Sequence, residues 1–116
     1  NKAPAYVSWS RENRSQLVRI PASPESAQRA ELRSPDPLAN PYIAFALVIY
    51  AAIEGLKNKT VLMPASDINL FHADEATLKK FKKLPQTLKE ACAAAQNSDF
   101  IKEHIPAKVL QIYCKQ

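Results

Sequence analysis

Between Asn40-Pro41 and Lys57 the chain runs through a stretch that is apolar almost all round: Ile43, Phe45, Ala46, Leu47, Val48, Ile49, Ala51 and Ile53. A surface helix keeps a polar face, so a helical segment without one has to be covered on most sides by other protein. Asn40 is a good N-cap, and Pro41 suits the first helical position, where a missing N–H costs nothing. The pattern predicts a buried helix over 42–57, and a chain of 116 residues offers little else with which to bury it. Glu54 and Lys57 end the run before the roughly 20 apolar residues that span a bilayer, which excludes a membrane segment here. No apolar core with a small-residue cleavage site marks a signal peptide; with two cysteines the composition suits a reducing cytosol, so the expected compartment is the cytoplasm. The chain begins at Asn1 rather than at a methionine. Together with the helix, this is read as a sign that the sequence is part of a larger fold.

The cations are segregated. All five arginines lie between Arg11 and Arg33, and beyond them every cation is lysine. A guanidinium is a planar fork that grips carboxylates and phosphates bidentately, whereas an ammonium is a hydrated point charge, so the first third is a candidate anion site. If Arg29-Ala30-Glu31-Leu32-Arg33 is a strand, Arg29, Glu31 and Arg33 share one face, with same-face neighbours roughly 7 Å apart. Flanking guanidiniums keep such a carboxylate ionised near neutral pH, able to ligate a divalent metal while the arginines hold an anion. On pattern alone a solvated strand face with cross-strand ion pairs explains the triplet as well.

Ala5–Ser10 and Leu17–Ile20 have the aromatic and β-branched content of two further strands, and alternation puts Arg19 on the face opposite Val18 and Ile20. Arg11 to Ser15 is a polar turn, Pro21 to Ser26 a loop, and Ser34-Pro35-Asp36-Pro37 a strand breaker. Residues 59–71 read as extended or irregular. Helical spacing resumes over Glu75–Lys83, from Thr87 to about Gln96, over Phe100–His104 behind an Asn97-Ser98-Asp99 cap, and after Pro106. The expected class is α+β: about three antiparallel strands over 1–35, carrying the arginines, then a mainly helical 40–116, together a single partial domain.

Several chemistries are excluded by what the chain lacks. Its one glycine, Gly55, sits in a helical pattern, so there is no glycine-rich phosphate loop. His72 and His104 have no partner at metal-ligand spacing, and no serine or cysteine sits in a nucleophile elbow. Two cysteines are too few for a disulfide scaffold, and Cys92, in Glu90-Ala91-Cys92-Ala93-Ala94, reads as a small apolar helix residue rather than a redox or metal group. A net charge of +5 is modest. The lysines from Lys79 to Lys83 read as a solvated face, giving at most weak, nonspecific association with nucleic acid.

Asn13-Arg14-Ser15, Val18-Arg19-Ile20-Pro21, Arg29-Ala30-Glu31-Leu32-Arg33, Pro35-Asp36-Pro37, Ala39-Asn40-Pro41-Tyr42 and Gly55-Leu56-Lys57-Asn58-Lys59, in this order, resemble the carboxy-terminal part of the catalytic domain of glutamine synthetase, bacterial type I. A weaker match continues through Asn69-Leu70, Leu84-Pro85, Leu88 and Glu90-Ala91. The resemblance implies an ATP-dependent ligase that makes L-glutamine from L-glutamate and ammonia through a γ-glutamyl phosphate. It also implies Mg2+ or Mn2+ and a homo-oligomeric ring, expected as a dodecamer, with no membrane and no specific nucleic acid as partners. By resemblance Glu31 ligates one metal ion, Arg33 and Arg14 are catalytic and face glutamate, and Arg14, Arg19 and Arg29 contact ATP. Asn13 and Ser15 fix the turn that presents Arg14, while Arg11 is a surface residue and His72 structural.

The chain departs from the family pattern twice. Glu25 or Ser26 stands where some relatives carry a lysine that contacts ATP, which leaves that contact open. Phe71 stands where adenylylated members have a tyrosine, so modification there is not expected. The family's β-grasp domain, remaining metal ligands, ammonium site and flap precede the matching blocks, and the 116-residue chain by itself is expected to be inactive. Two alternatives stay open at this level: a ligase of the same fold joining glutamate to another amine such as a polyamine, and a non-catalytic structural relative.

Overall fold

A computed structural model describes residues 3–115. It is α+β, with a three-stranded sheet of order β1 (Trp9–Arg11), β2 (Val18–Ile20) and β3 (Glu31–Leu32). Five helices follow: α1 (Pro41–Lys57), α2 (Glu75–Leu78), α3 (Leu88–Asn97), α4 (Asp99–His104) and α5 (Ala107–Tyr113). The chain forms two compact units, one from the residues up to Pro37 with Val61–Leu84, the other from Leu38–Thr60 with the residues from Pro85 onward.

The sheet is mixed rather than antiparallel, which corrects the expectation for its first two strands. β2 pairs antiparallel with β3, Arg19 facing Glu31, but β1 and β2 are parallel, with Trp9 level with Val18 and Arg11 level with Ile20. Parallel neighbours ordinarily need a crossover of a dozen residues or more. Here residues 12–17 suffice because Glu12 takes a left-handed conformation, φ 65°, that reverses the chain at once. Asn13 Oδ1 then accepts hydrogen bonds from the Ser15 N–H (2.9 Å) and hydroxyl (2.8 Å), tightening the return. All three strands are shorter than their propensity indicated. Tyr6 is held instead by an isolated bridge to Lys83, flanked by Val7 N–H to Lys82 O and Leu84 N–H to Ala5 O, each 2.8 Å. That bridge draws 82–84 into extended backbone, so α2 stops at Leu78 although helical spacing runs on to Lys83.

The interior of this first unit is polar. Leu70 is the one buried large apolar side chain among the described residues, whereas Ser8, Ser10, Ser15, Gln16 and Ser66 are all buried. Hydrogen bonds hold the irregular 61–70 segment against the strands: Trp9 Nε1–H donates to Met63 O at 2.7 Å, and Ser66 N–H to Trp9 O at 2.9 Å. Alternation along β2 gives the sheet two characters. Val18 and Ile20 line a large, mostly apolar cleft of about 900 Å³ with Trp9, Leu17, Leu62 and Met63, while Arg19 lines a smaller polar one.

In the second unit α1 starts as its sequence dictates, with Asn40 Oδ1 accepting from the N–H groups of Tyr42 (2.9 Å) and Ile43 (3.2 Å) and Pro41 at the first position. It ends in a Schellman motif: Thr60 N–H reaches Gly55 O at 3.0 Å and Lys59 N–H reaches Leu56 O at 3.2 Å. Lys59 occupies the left-handed position of that motif, φ 49°, where glycine is the unstrained residue. The helices α3 and α4 have side-chain N-caps, Thr87 to Glu90 N–H at 3.1 Å and Ser98 to Ile101 N–H at 3.3 Å. His104 of α4 stacks on Tyr50 of α1, ring centroids 4.1 Å apart, and meets Phe100 edge-on at 4.8 Å.

The expected burial of α1 is not found within this chain. No residue of the helix is buried, and Tyr42, Phe45, Ile49, Ile53 and Leu56 form an exposed stripe at helical spacing. The physical reason is supply: the short helices α3 to α5 are too small and too polar to wrap an apolar cylinder. No helix among the described residues is long and apolar enough to cross a membrane.

Candidate anion-binding site

Arg14, Arg19, Arg29, Glu31 and Arg33 converge with Pro21 and Ala22 on the polar cleft, about 460 Å³ in volume. The Arg29-Glu31-Arg33 alternation that the sequence implied is thus realised, although only Glu31 and Leu32 form ladder-paired strand. Arg33 extends the register through its N–H to Leu17 O at 2.9 Å.

The bland explanation of the triplet is correct as far as it goes, because Arg19 and Glu31 are cross-strand partners. Arg19 Nη1–H donates to Glu31 Oε2 at 2.9 Å and Nε–H to Glu12 O at 2.9 Å, while Arg29 Nη2–H reaches Glu31 Oε1 at 3.4 Å. Arg19 is the better held of the two, its side chain 17% exposed against 57% for Arg29. The Arg19 hydrogen bond, aided by the charges of Arg19 and Arg29 and opposed by partial desolvation, holds the Glu31 carboxyl below its ordinary 4.5. It is ionised at neutral pH.

Ion pairing does not account for the remaining cations. Arg33 Nη1 is buried without a hydrogen-bond partner, and Arg14, itself exposed, lines the cleft. A buried guanidinium nitrogen left unpaired carries a desolvation penalty that an anion in the cleft would relieve. Four guanidiniums around one carboxylate leave a net positive charge suited to a phosphate or carboxylate ligand.

Glu31 also fits one place in a divalent metal site. Its hard oxygens each keep lone-pair capacity after accepting from one arginine. Among the described residues no group of three or more Asp, Glu, His or Cys side chains converges, so a complete metal site would need ligands besides those gathered there.

The turn that presents Arg14 is clamped from an unexpected side. Asn13 Nδ2–H2 donates to Asp67 O (3.0 Å) and Ile68 O (3.1 Å), Gln16 Nε2–H2 to Ile68 O (2.8 Å), and Leu70 N–H to Ser15 Oγ (3.0 Å). The sequence singled out Asn13 and Ser15 as turn residues. It gave no sign of Gln16, fully buried, or of the 67–70 backbone as their partner, because contacts this distant leave no periodic signal. Arg11 is exposed and lines the apolar cleft, away from the carboxylate's cleft. Glu25 and Ser26 form an exposed 3-10 turn outside the polar cleft.

The family profile described as "Glutamine synthetase, catalytic domain" matches residues 1–116. Among similar curated proteins, the glutamine synthetase of Methanosarcina mazei is 43% identical over 114 residues, which is 97% of this chain and 26% of that protein. The glutamine synthetase of Sulfolobus acidocaldarius is 36% identical over 118 residues, covering 97% of this chain and 25% of its own length. That of Staphylococcus aureus is 38% identical over 104 residues, 88% of this chain and 23% of its length. The sheet carries a cluster of arginines about an ionised carboxylate, within an α+β chain that a catalytic-domain profile matches. The chain belongs to the glutamine synthetase family, and it spans about a quarter of the length of these relatives.

Proposed function

We propose that this chain forms the arginine-lined wall of a glutamate–ammonia ligase site, in a protein that uses ATP to make L-glutamine through a γ-glutamyl phosphate. The observation that carries the reading is the convergence of Arg14, Arg19, Arg29 and Arg33 on a cleft whose one carboxylate, Glu31, is held ionised. In this reading Arg33 and Arg14 hold the glutamate substrate close to the reacting carboxyl. Arg14 also meets the phosphates, with Arg19 and Arg29 gripping ATP through the N–H groups that Glu31 does not occupy. Both chemical steps build negative charge on phosphoryl and acyl oxygens, and guanidiniums already fixed in place stabilise it without reorganising. Glu31 would ligate Mg2+ or Mn2+, and such an ion supplies Lewis-acid neutralisation of phosphoryl oxygens when bound.

The exposed apolar stripe of α1 supports a larger body around this wall, since contiguous apolar surface of that kind marks an interface. The full protein is read as a cytoplasmic homo-oligomeric ring, a dodecamer, and the 116-residue chain alone as inactive. The test is steady-state glutamine formation by the full-length protein, omitting ATP, glutamate or ammonia in turn and replacing ammonia with polyamines. Product that requires all three substrates, with no turnover on polyamines, is expected. Polyamine preference, or glutamine formation by the isolated chain at a rate near that of the whole protein, would overturn the reading.

A further inference from the structure

Cys92, in the middle of α3, and Cys114, which caps the end of α5, are 22 positions apart in sequence, and their proximity is a product of folding. The helices α3 and α5 pack together, and the Cys114 thiol donates to the Cys92 carbonyl oxygen at 3.9 Å. Both are free and partly exposed. Disulfide geometry requires two sulfurs that can approach to about 2 Å on facing Cβ carbons, and a thiol within 3.9 Å of the other cysteine's carbonyl oxygen, across packed helices, starts within reach of it.

We propose that Cys92 and Cys114 form an oxidisable dithiol, which a low-molecular-weight disulfide converts to an intramolecular bond tying α5, and with it the intervening α4, to α3. One cysteine thiolate attacks a sulfur of the small disulfide, whose S–S bond breaks to release a thiolate and leave a mixed disulfide on the protein. The second cysteine attacks the protein sulfur of that mixed disulfide, forming the Cys92–Cys114 bond and releasing the second small thiolate. The two protons lost by the cysteines are taken up by the two released thiolates, so the protein is oxidised by two electrons and the small disulfide is reduced to two thiols. Because α4 carries His104, which stacks on Tyr50, the closed bond also restrains the end of the α4 contact to α1. In the reduced form, partial burial and the neighbouring Cys92 hold the Cys114 thiol above its ordinary 9.0. The Cys114 thiol therefore stays protonated at neutral pH.

The experiment treats the reduced chain with oxidised glutathione and follows intact mass, free thiols, non-reducing mobility and Tm. Expected are a monomer that has lost two hydrogens, retains no glutathione and has no free thiol, with Tm raised by at least about 4 °C. Cys92→Ser and Cys114→Ser should each retain one glutathione and show no such rise. Two glutathiones retained on the folded chain, a disulfide-linked dimer, closure no faster in buffer than in urea, or closure that leaves Tm unchanged or lower would each overturn the proposal.

Discussion

Gln16 and Phe45 stand for the two units of this molecule. Gln16 is polar and fully buried, its amide bound to the backbone of Ile68, whereas Phe45 is apolar and 69% exposed on α1. The strand unit fixes its geometry with specific hydrogen bonds around a thin core, and brings Arg14, Arg19, Arg29, Glu31 and Arg33 to one cleft. The helical unit carries a long apolar helix face but has too little of its own material to cover it. Directional bonding belongs where side chains must be aimed, and uncovered apolar surface belongs where more protein packs.

This contrast can be broken by substitution. Asn13→Ala should have the largest effect on stability, about 2 kcal/mol by urea unfolding, because it removes a turn acceptor and leaves Asp67 O and Ile68 O without its amide. A near-zero change would mean that the 67–70 clamp does not hold the Arg14 turn. Lys59→Gly should stabilise by up to about 1 kcal/mol, since the left-handed position at the end of α1 strains a lysine and suits glycine. Phe45→Ser in this chain should lie within about 0.5 kcal/mol of zero, as for other exposed positions. A loss of two or more would show α1 to be covered after all.

The smallest effect concerns acid. Thr77, through its side chain and then its N–H at 2.7 Å, holds the Asp74 carboxyl below its ordinary 3.8. A lowered folded-state pKa contributes stability that is present above the ordinary value and is lost as pH falls through the lowered one. Asp74→Asn keeps the cap of α2 but cannot titrate, so circular dichroism should show the two forms diverging only below about pH 4. Parallel curves down to the lowest pH would remove Asp74 from the acid transition.

The elements most legible in the sequence are those fixed by local chemistry. Asn40-Pro41, Thr87 and Ser98 mark helix starts because capping involves neighbours a few residues apart. The sharing of a face by Arg29, Glu31 and Arg33 follows from alternation alone. The parallel pairing of β1 with β2 was not legible, since it turns on the left-handed Glu12, a conformation that non-glycine residues seldom adopt. Nor was the early end of α2, which a long-range bridge from Tyr6 imposes against local helical preference. The exposure of α1 depends on how much protein surrounds it, and periodicity reports only that the helix is apolar.

Glu31 is where the two strands that build the cleft, its charge and its proposed metal meet, so it gives the most direct test. Glu31→Ala in the full-length protein should lower metal-dependent glutamine formation by on the order of a hundredfold or more, with the far-ultraviolet spectrum preserved. Activity and metal dependence equal to those of the unsubstituted protein would contradict the assignment of this cleft to phosphoryl transfer.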